Sequence, residues 1–365
     1  MIHIPLMLRT FFLSVRGIFI AVCLLWNAVS FAQNDSTSRN YKDPEYITSF
    51  GNHPHLTFEL AKRSQRIDIR VPDKDTFLLR YEPNTKTNFV ASFDYRWLSL
   101  SLGLFSIHSG DASRKGDTQQ FTFGASFNGK RIWNSNFIQV YKGYYISNPS
   151  SVDKQWNPST DLYPQRPDIS TATFFSNVYY CFNPQRFSYK AALWQLERQE
   201  KSAGSFLAGM ALRYQLLLSD TSQTLIPPSV ESLFKPENRL IGRSISNVNL
   251  NAGYVHTFVY RHSWYLTLYL VPGISIQNSA YLAEDRQIRK ETNHIAGSSE
   301  FRFILGYNGD RWYSGLSSYS ISFSSNRETN VRLDSNYNWF RFFLGYRFNA
   351  IDRKGLPAWR QRIGL

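Results

Sequence analysis

Beyond its first thirty-odd residues the sequence has no apolar run near the roughly 18–20 residues that a spanning helix needs. Helical crossing of a membrane is thereby excluded for the rest of the chain. Charge is sparse as well: Asp, Glu, Lys and Arg make up 19% of the 365 residues, whereas Phe, Tyr and Trp reach 16%. The aromatics come in short portions, a distribution that suits strands alternating between two environments. Cysteine is nearly absent. Only Cys23 and Cys181 occur, and Cys23 lies in the apolar N-terminal stretch. Loss of that stretch leaves one thiol and no internal disulfide. The net charge of +14 comes without a dense Lys/Arg tract. Nucleic acid is therefore set aside as a partner, and anionic lipid headgroups or acidic glycans are expected instead.

The N-terminus reads as a secretory signal over residues 1–32. Arg9 and Arg16 precede the apolar run Gly17–Trp26, and Ser30-Phe31-Ala32 offers small residues before a cut at Gln33. The alternative is a short N-terminal anchor. Cys23 has no small-residue box in front of it, which argues against a lipoprotein. Removing two Arg and no acidic residue takes the net charge from +14 to +12.

After Thr85 a two-residue period dominates. Phe89, Ala91, Phe93, Tyr95 and Trp97 alternate with polar residues, as do Leu98, Leu100, Leu102 and Leu104, and Phe121, Phe123, Ala125 and Phe127. A helix would scatter these side chains, whereas a strand sorts them onto two faces. The second face is Gly, Ser, Asn and charge, as in a barrel with a polar interior. Further strands are expected at about 132–146, 169–182, 186–197, 204–218, 246–260, 263–279, 295–308, 311–324 and 337–348. The fold expected is all-β: a transmembrane antiparallel β-barrel of about 12 strands, with 12–14 open, exported through the signal peptide to an outer membrane. Residues 33–84 are expected as a linker and short β segment, 85–349 as the barrel, and 350–365 as an extension. Leu56–Leu60 and Ile67–Val71 fit either an N-terminal hairpin or a first barrel strand. The alternation of short turns and long loops fails after residues 219–245. Either one strand between 186 and 245 is miscounted or the turn-length rule breaks there.

Several segments give the chain a family likeness: Asp43–Ile47, Arg80–Asn84 leading into Phe89–Trp97, Tyr141–Tyr145, Arg186–Ala192, Lys201–Phe206 and Asn251–Tyr254. In these the chain resembles an uncharacterised outer-membrane family found mainly in Bacteroidetes, domain of unknown function 4421. The likeness runs from about 43 to 349. It implies a barrel and a location, and it carries over no catalytic residue.

If aromatic faces meet lipid, the opposite faces place Asp94, Arg96, Arg213, Glu300, Arg302, Arg341 and Arg347 in the lumen. Lys or Arg toward lipid would cost about 2–4 kcal/mol at mid-depth. Two readings stand: a ring of cations selecting anions, or a ladder of ion pairs that fills a narrow barrel, which is favoured because acids share those faces. His53 and His55 lie on one face without a third ligand, so a surface pair is expected and no metal. His108-Ser-Gly-Asp111 has triad residue types, but adjacency is not triad geometry, and no Gly-x-Ser-x-Gly elbow occurs. The expectation is no catalysis and no cofactor, with an envelope-lipid hydrolase as the remote alternative. The 147–168 loop, with Trp156, Tyr163 and four prolines, is either a stacking surface for a ligand or a rigid cover. Expected partners are outer-membrane lipids, the barrel insertion machinery and a surface ligand of unknown kind, with the protein a monomer. A structural or surface-binding barrel leads; a narrow channel for anionic solutes or lipids follows.

Overall fold

The computed structural model describes residues 42–71, 74–84, 87–107, 111–219, 223–323 and 332–350. The expected signal peptide and nearly all of the C-terminal extension lie outside them. After β1 (Ile47–Ser49) come β2 (His55–Val71), β3 (Lys74–Glu82), β4 (Thr87–Tyr95) and β5 (Leu98–Ile107). The short helix α1 (Ala112–Lys115) leads to β6 (Gln119–Asn128), β7 (Ile132–Ile146) and β8 (Gln165–Cys181). Helix α2 (Tyr189–Leu193) and β9 (Glu197–Gln199) follow, then β10 (Ala203–Leu218), β11 (Leu240–Tyr260) and β12 (Trp264–Ala283). The chain continues through β13 (Ile288–Asn308), β14 (Trp312–Phe323) and β15 (Arg332–Arg347).

Twelve antiparallel strands close on themselves when β15 pairs with β2, from Arg347–His55 to Arg332–Arg70. Such closure joins the first barrel strand to the last, as a bilayer demands. β2 is longer than its neighbour β4, so β3 takes over its upper half and itself pairs with β7 at Tyr81–Ile146 and Glu82–Tyr145. The exchange of partners on β7 happens at a bulge on Gly143, whose φ is 94°. A Cβ there would collide with the Asp117 carbonyl oxygen, so glycine alone lets β6 end and β3 approach. On that side of the wall β3 alone stands between β2 and β7, where β4, β5 and β6 stand lower down.

The outer face is apolar. On β12, Trp264, Leu268, Leu270, Ile274 and Ile276 are exposed. That run covers roughly 25–30 Å of tilted strand, the height of a lipid-facing band. β11, β12 and β13 have 21, 20 and 21 residues, well beyond the roughly 9–11 needed to span. Their surplus projects beyond the belt, and β2 records where it ends. Below, Phe58 and Leu60 point outward; above, Ile67 and Ile69 point inward and are buried. Arg66 and Arg80, on the other face there, pair with Asp68 at 3.4 and 2.9 Å. The strand is continuous, and its apolar side changes from lipid to interior.

Two expectations change. Residues 186–197 are not a spanning strand but α2, a turn and the start of β9. Leu56–Val71 is the first barrel strand, so the barrel begins ahead of residue 85. The two differences cancel in the count and remove the fault in turn phase. Residues 219–239 then lie with the long loops, while the turns at Arg261–Ser263 and 309–311 join the other end. The long 182–202 connection also sits at that short-turn end, which is why loop length misled.

Candidate functional site

The short-turn end is closed by residues 183–202. Ser188 caps α2 by accepting from Ala191 N at 2.9 Å, and Phe187, Tyr189, Ala192 and Leu193 pack on inward-facing Trp133, Tyr179, Tyr265 and Phe343. Tyr189 stacks on Trp133 at 4.3 Å. β9 pairs with β1, tying the segment to the N-terminal strand. The wall holds it through an arginine. Arg347, at 1% exposure, donates to Gln195 O at 2.6 Å, to Asp310 O at 3.3 Å, and to Gly309 O and Asn308 Oδ1. Its guanidinium lies 4.1 Å from the Phe50 ring centroid and 4.7 Å from that of Tyr313. Asn308 Nδ2 adds a bond to Glu197 O at 3.0 Å, and Gln195 Nε2 donates to Tyr265 Oη at 2.9 Å. Burial would raise the Glu197 carboxyl, but Lys42 and Lys190 outweigh it and hold the group below its ordinary range. Burial pushes the Lys190 amine down to about 8 despite Glu197 beside it.

The long-loop end is filled differently. Leu225, Ile226, Val230 and Phe234 of the β10–β11 connection pack on Ile67, Ile69, Leu79, Tyr81, Tyr141, Ile169 and Leu217. Phe234 meets Phe77 edge-on at 5.7 Å, and Tyr81 donates to Leu225 O at 2.6 Å.

Between these fillings the opposite walls touch. Tyr337 of β15 shares a 2.9 Å hydroxyl contact with Thr173 of β8 and accepts from Arg213 of β10 at 3.0 Å. Trp339 packs edge-on against Phe137 of β7 at 4.6 Å. Glu300 of β13 accepts from Tyr179 at 2.8 Å, Tyr319 at 3.2 Å and Tyr269 at 3.3 Å. A carboxylate that takes three hydroxyl donors is well served without a cation in contact.

A cavity of about 150 Å³ lies above α2. Its charged lining is Glu59, Asp94, Arg63, Arg302 and Arg341, and its other wall is small: Ser99, Ser101, Thr122, Gly124, Ser126 and Ser135. Arg341 donates to Glu59 Oε1 at 2.7 Å.

The sequence profile for Domain of unknown function (DUF4421) matches residues 34–348. The chain belongs to this family. Its fold also matches solved outer-membrane barrels at very low identity. The outer-membrane protease OmpT from Escherichia coli is 9% identical, with 84% of this chain and 97% of that one covered at TM-score 0.32. The translocator domain of the autotransporter NalP from Neisseria meningitidis is 8% identical, covering 92% and 98% at 0.31. The Pseudomonas putida toluene transporter TodX is 9% identical, covering 81% and 90% at 0.26. Among curated proteins none matches significantly. Within the DUF4421 chain, four of the segments that carried the family likeness gather in two places. Asp43–Ile47 and Arg186–Ala192 form the closure at the short-turn end, while Arg80–Asn84 and Tyr141–Tyr145 form the junction of β3 with β7.

Of the charges expected in the lumen, Asp94, Arg213, Glu300, Arg302, Arg341 and Arg347 do point inward. Asp94 sits level with His55 and Ser99 on the adjoining strands. Arg302 lies 3.9 Å from the Tyr319 ring centroid. Arg96 differs: it is in the β4–β5 turn, with φ 55° and its guanidinium 4.9 Å from the Tyr95 centroid. Glu59 and Arg63 were missed, because Glu59-Leu-Ala-Lys-Arg63 reads as the end of an apolar stretch. The histidines are not a surface pair either. His53 is half-buried and bonds Phe348 O at 2.7 Å, but His55 is fully buried, facing Tyr313 at 5.8 Å. Among the described residues no group of three His, Cys, Asp or Glu is placed to hold a metal. Asp111 caps α1, and its neighbours 108–110 lie outside the described residues. Trp156 and Tyr163 do meet, at 5.0 Å, and Tyr145 joins them at 5.3 Å. Arg114 and Lys115 lie 5.7 and 5.2 Å from the Tyr163 centroid, and Arg114 donates to Pro158 O and Asp161 O at 2.6 and 2.9 Å. The two tyrosine rings are engaged by the chain's own cations, and the Trp156 indole N–H donates to Leu162 O at 3.1 Å.

Proposed function

We propose that this DUF4421 protein is a non-conducting outer-membrane barrel with a structural or surface-binding role and no catalytic centre. The observation that supports this best is the anchoring of 183–202 inside the short-turn end by Arg347. A guanidinium that meets carbonyl oxygens on both the wall and the insert, in a dry site, is not readily released. The luminal charges serve packing in this reading: Arg213 bridges β10 to β15, and Arg341 neutralises Glu59. Membrane lipids are the partner that the apolar belt requires, and the insertion machinery delivers the barrel to them. The loops around Trp156 and Tyr163 brace α1 and cover the mouth rather than presenting free rings. Purified protein reconstituted into planar bilayers tests this. No conductance steps are expected at either polarity. Reproducible anion-selective steps would promote the channel, and lipid turnover lost on a single Ser→Ala change would promote the hydrolase.

A further inference from the structure

Among the described residues, the pairing of β5 with β6 stops well short of the ends of both strands. The β5–β6 ladder runs from Leu98–Phe127 to Leu102–Phe123 and then stops. Above it β5 continues on β4 to Ile107, and β6 continues on β7 to Gln119, each bonded on its far side. The cause lies in β5. Its register against β4 skips Leu104, a bulge, and bulges bend a strand and end its pairing. Leu104 and Phe105 therefore both face outward, at 50% and 57% exposure, and with Phe121 they rim the gap. Higher up, on the lumen side, Ser106 donates to Asn88 Oδ1 at 2.7 Å and Asn88 donates to Gln120 Oε1 at 2.8 Å. Gly103 and Thr122 still lie side by side beyond the last rung, and a window lies above them, below this bridge.

The 150 Å³ cavity lies directly behind it. Ser101, Thr122 and Gly124, at the lower lip, line that cavity together with Arg63. Arg63 is 8% exposed, and its Nη1 has no hydrogen-bond partner. A buried guanidinium N–H left without an acceptor is costly, and ladder gaps at membrane depth are tolerated where they line a cavity. The cavity sets three arginines against Glu59 and Asp94, and Arg63 keeps an unused N–H beside it. We infer that window and cavity form a binding site for a single-chain amphiphile with a carboxylate head, the head on Arg63 and the tail leaving between Phe105 and Phe121 into lipid. The inference rests on the membrane placement proposed above.

Calorimetric titration of laurate, acetate and dodecanol into refolded protein in phosphatidylcholine nanodiscs tests it. Saturable one-site binding of laurate is expected, with acetate and dodecanol at least about tenfold weaker, since each lacks either the tail or a charge-assisted bond. Arg63→Gln should weaken laurate by about tenfold or more on the same ground. A second variant does not depend on that substitution folding. A Cβ at position 103 would lie 4.0 Å from the Thr122 Cβ, within disulfide range. Gly103→Cys with Thr122→Cys should slow laurate uptake when oxidised and recover it in the same sample on reduction, while Cys181 stays buried and apart. Absent laurate binding, unchanged affinity in Arg63→Gln, or uptake indifferent to the staple each overturn the proposal. Acetate binding as tightly as laurate would do so too, assigning the site to a soluble carboxylate. A conducting barrel that still binds laurate overturns the sealed lumen and leaves this site standing.

Discussion

The two mouths of the barrel are filled by chain segments of similar length, and a network of polar contacts is added to apolar packing at only one of them. At the short-turn end, 183–202 is gripped through polar atoms: the Arg347 fork, Asn308 on Glu197 O, and Gln195 on Tyr265. At the long-loop end, 219–239 is held by Leu225, Ile226, Val230 and Phe234 on an aliphatic inner wall. The first solution is directional and fixes one pose. The second is insensitive to angle and depends on contact area. A polar grip suits an insert that must sit at one depth, whereas apolar packing tolerates a loop that settles last.

The comparison breaks most readily at Arg347. Arg347→Met strands acceptors on both the wall and the insert, and a loss of about 4 kcal/mol is expected, as for breaking a buried charged contact. The urea midpoint of refolded barrel measures it. Arg347→Lys should recover little, because an ammonium cannot reproduce a planar fork. Full recovery by lysine would mean that charge, not direction, holds the insert. Phe234→Ala comes next, at about 3 kcal/mol from lost burial and cavity formation. Its signature is faster proteolysis within 223–239 with cleavage near 186–199 unchanged. Coupled loosening of both ends would show that they are one unit. Lys190 gives the smallest effect. Its folded pKa is about 8 against an ordinary 10.5, so between those values the unfolded chain binds the extra proton and stability rises with pH. Relative to Lys190→Met, the wild type should gain roughly 1 kcal/mol across that window, the side chain being half-buried. A flat difference would place the amine in water.

Much of the wall was legible. Phe340, Phe342 and Leu344 against Arg341 and Arg347 announce a strand with lipid on one side, and they behave so. The misreading of 186–197 has a physical cause. Phe187, Tyr189, Ala191 and Leu193 alternate with Ser188 and Lys190, yet residues on both parities are buried, because the segment is surrounded by wall. A two-residue period reports two environments, and inside a barrel there is one. β2 was ambiguous for the converse reason. Its apolar residues change parity between Leu60 and Ile67, so one strand reads as two pieces. Charge type was legible and pairing was not: Glu300 looks like the partner of Arg302, while its hydrogen bonds come from tyrosines on β8, β12 and β14, brought together by closure alone.

The exchange of β4, β5 and β6 for β3 has a mechanical consequence. Barrel diameter grows about linearly with strand number, so one strand in place of three draws that side of the wall inward toward the long-loop end. Force that draws 183–202 out of its mouth has to break the arginine clasp, the β1–β9 pairing and the stacking of Tyr189 on Trp133 together. A segment tied to the wall at several points yields as a block or not at all.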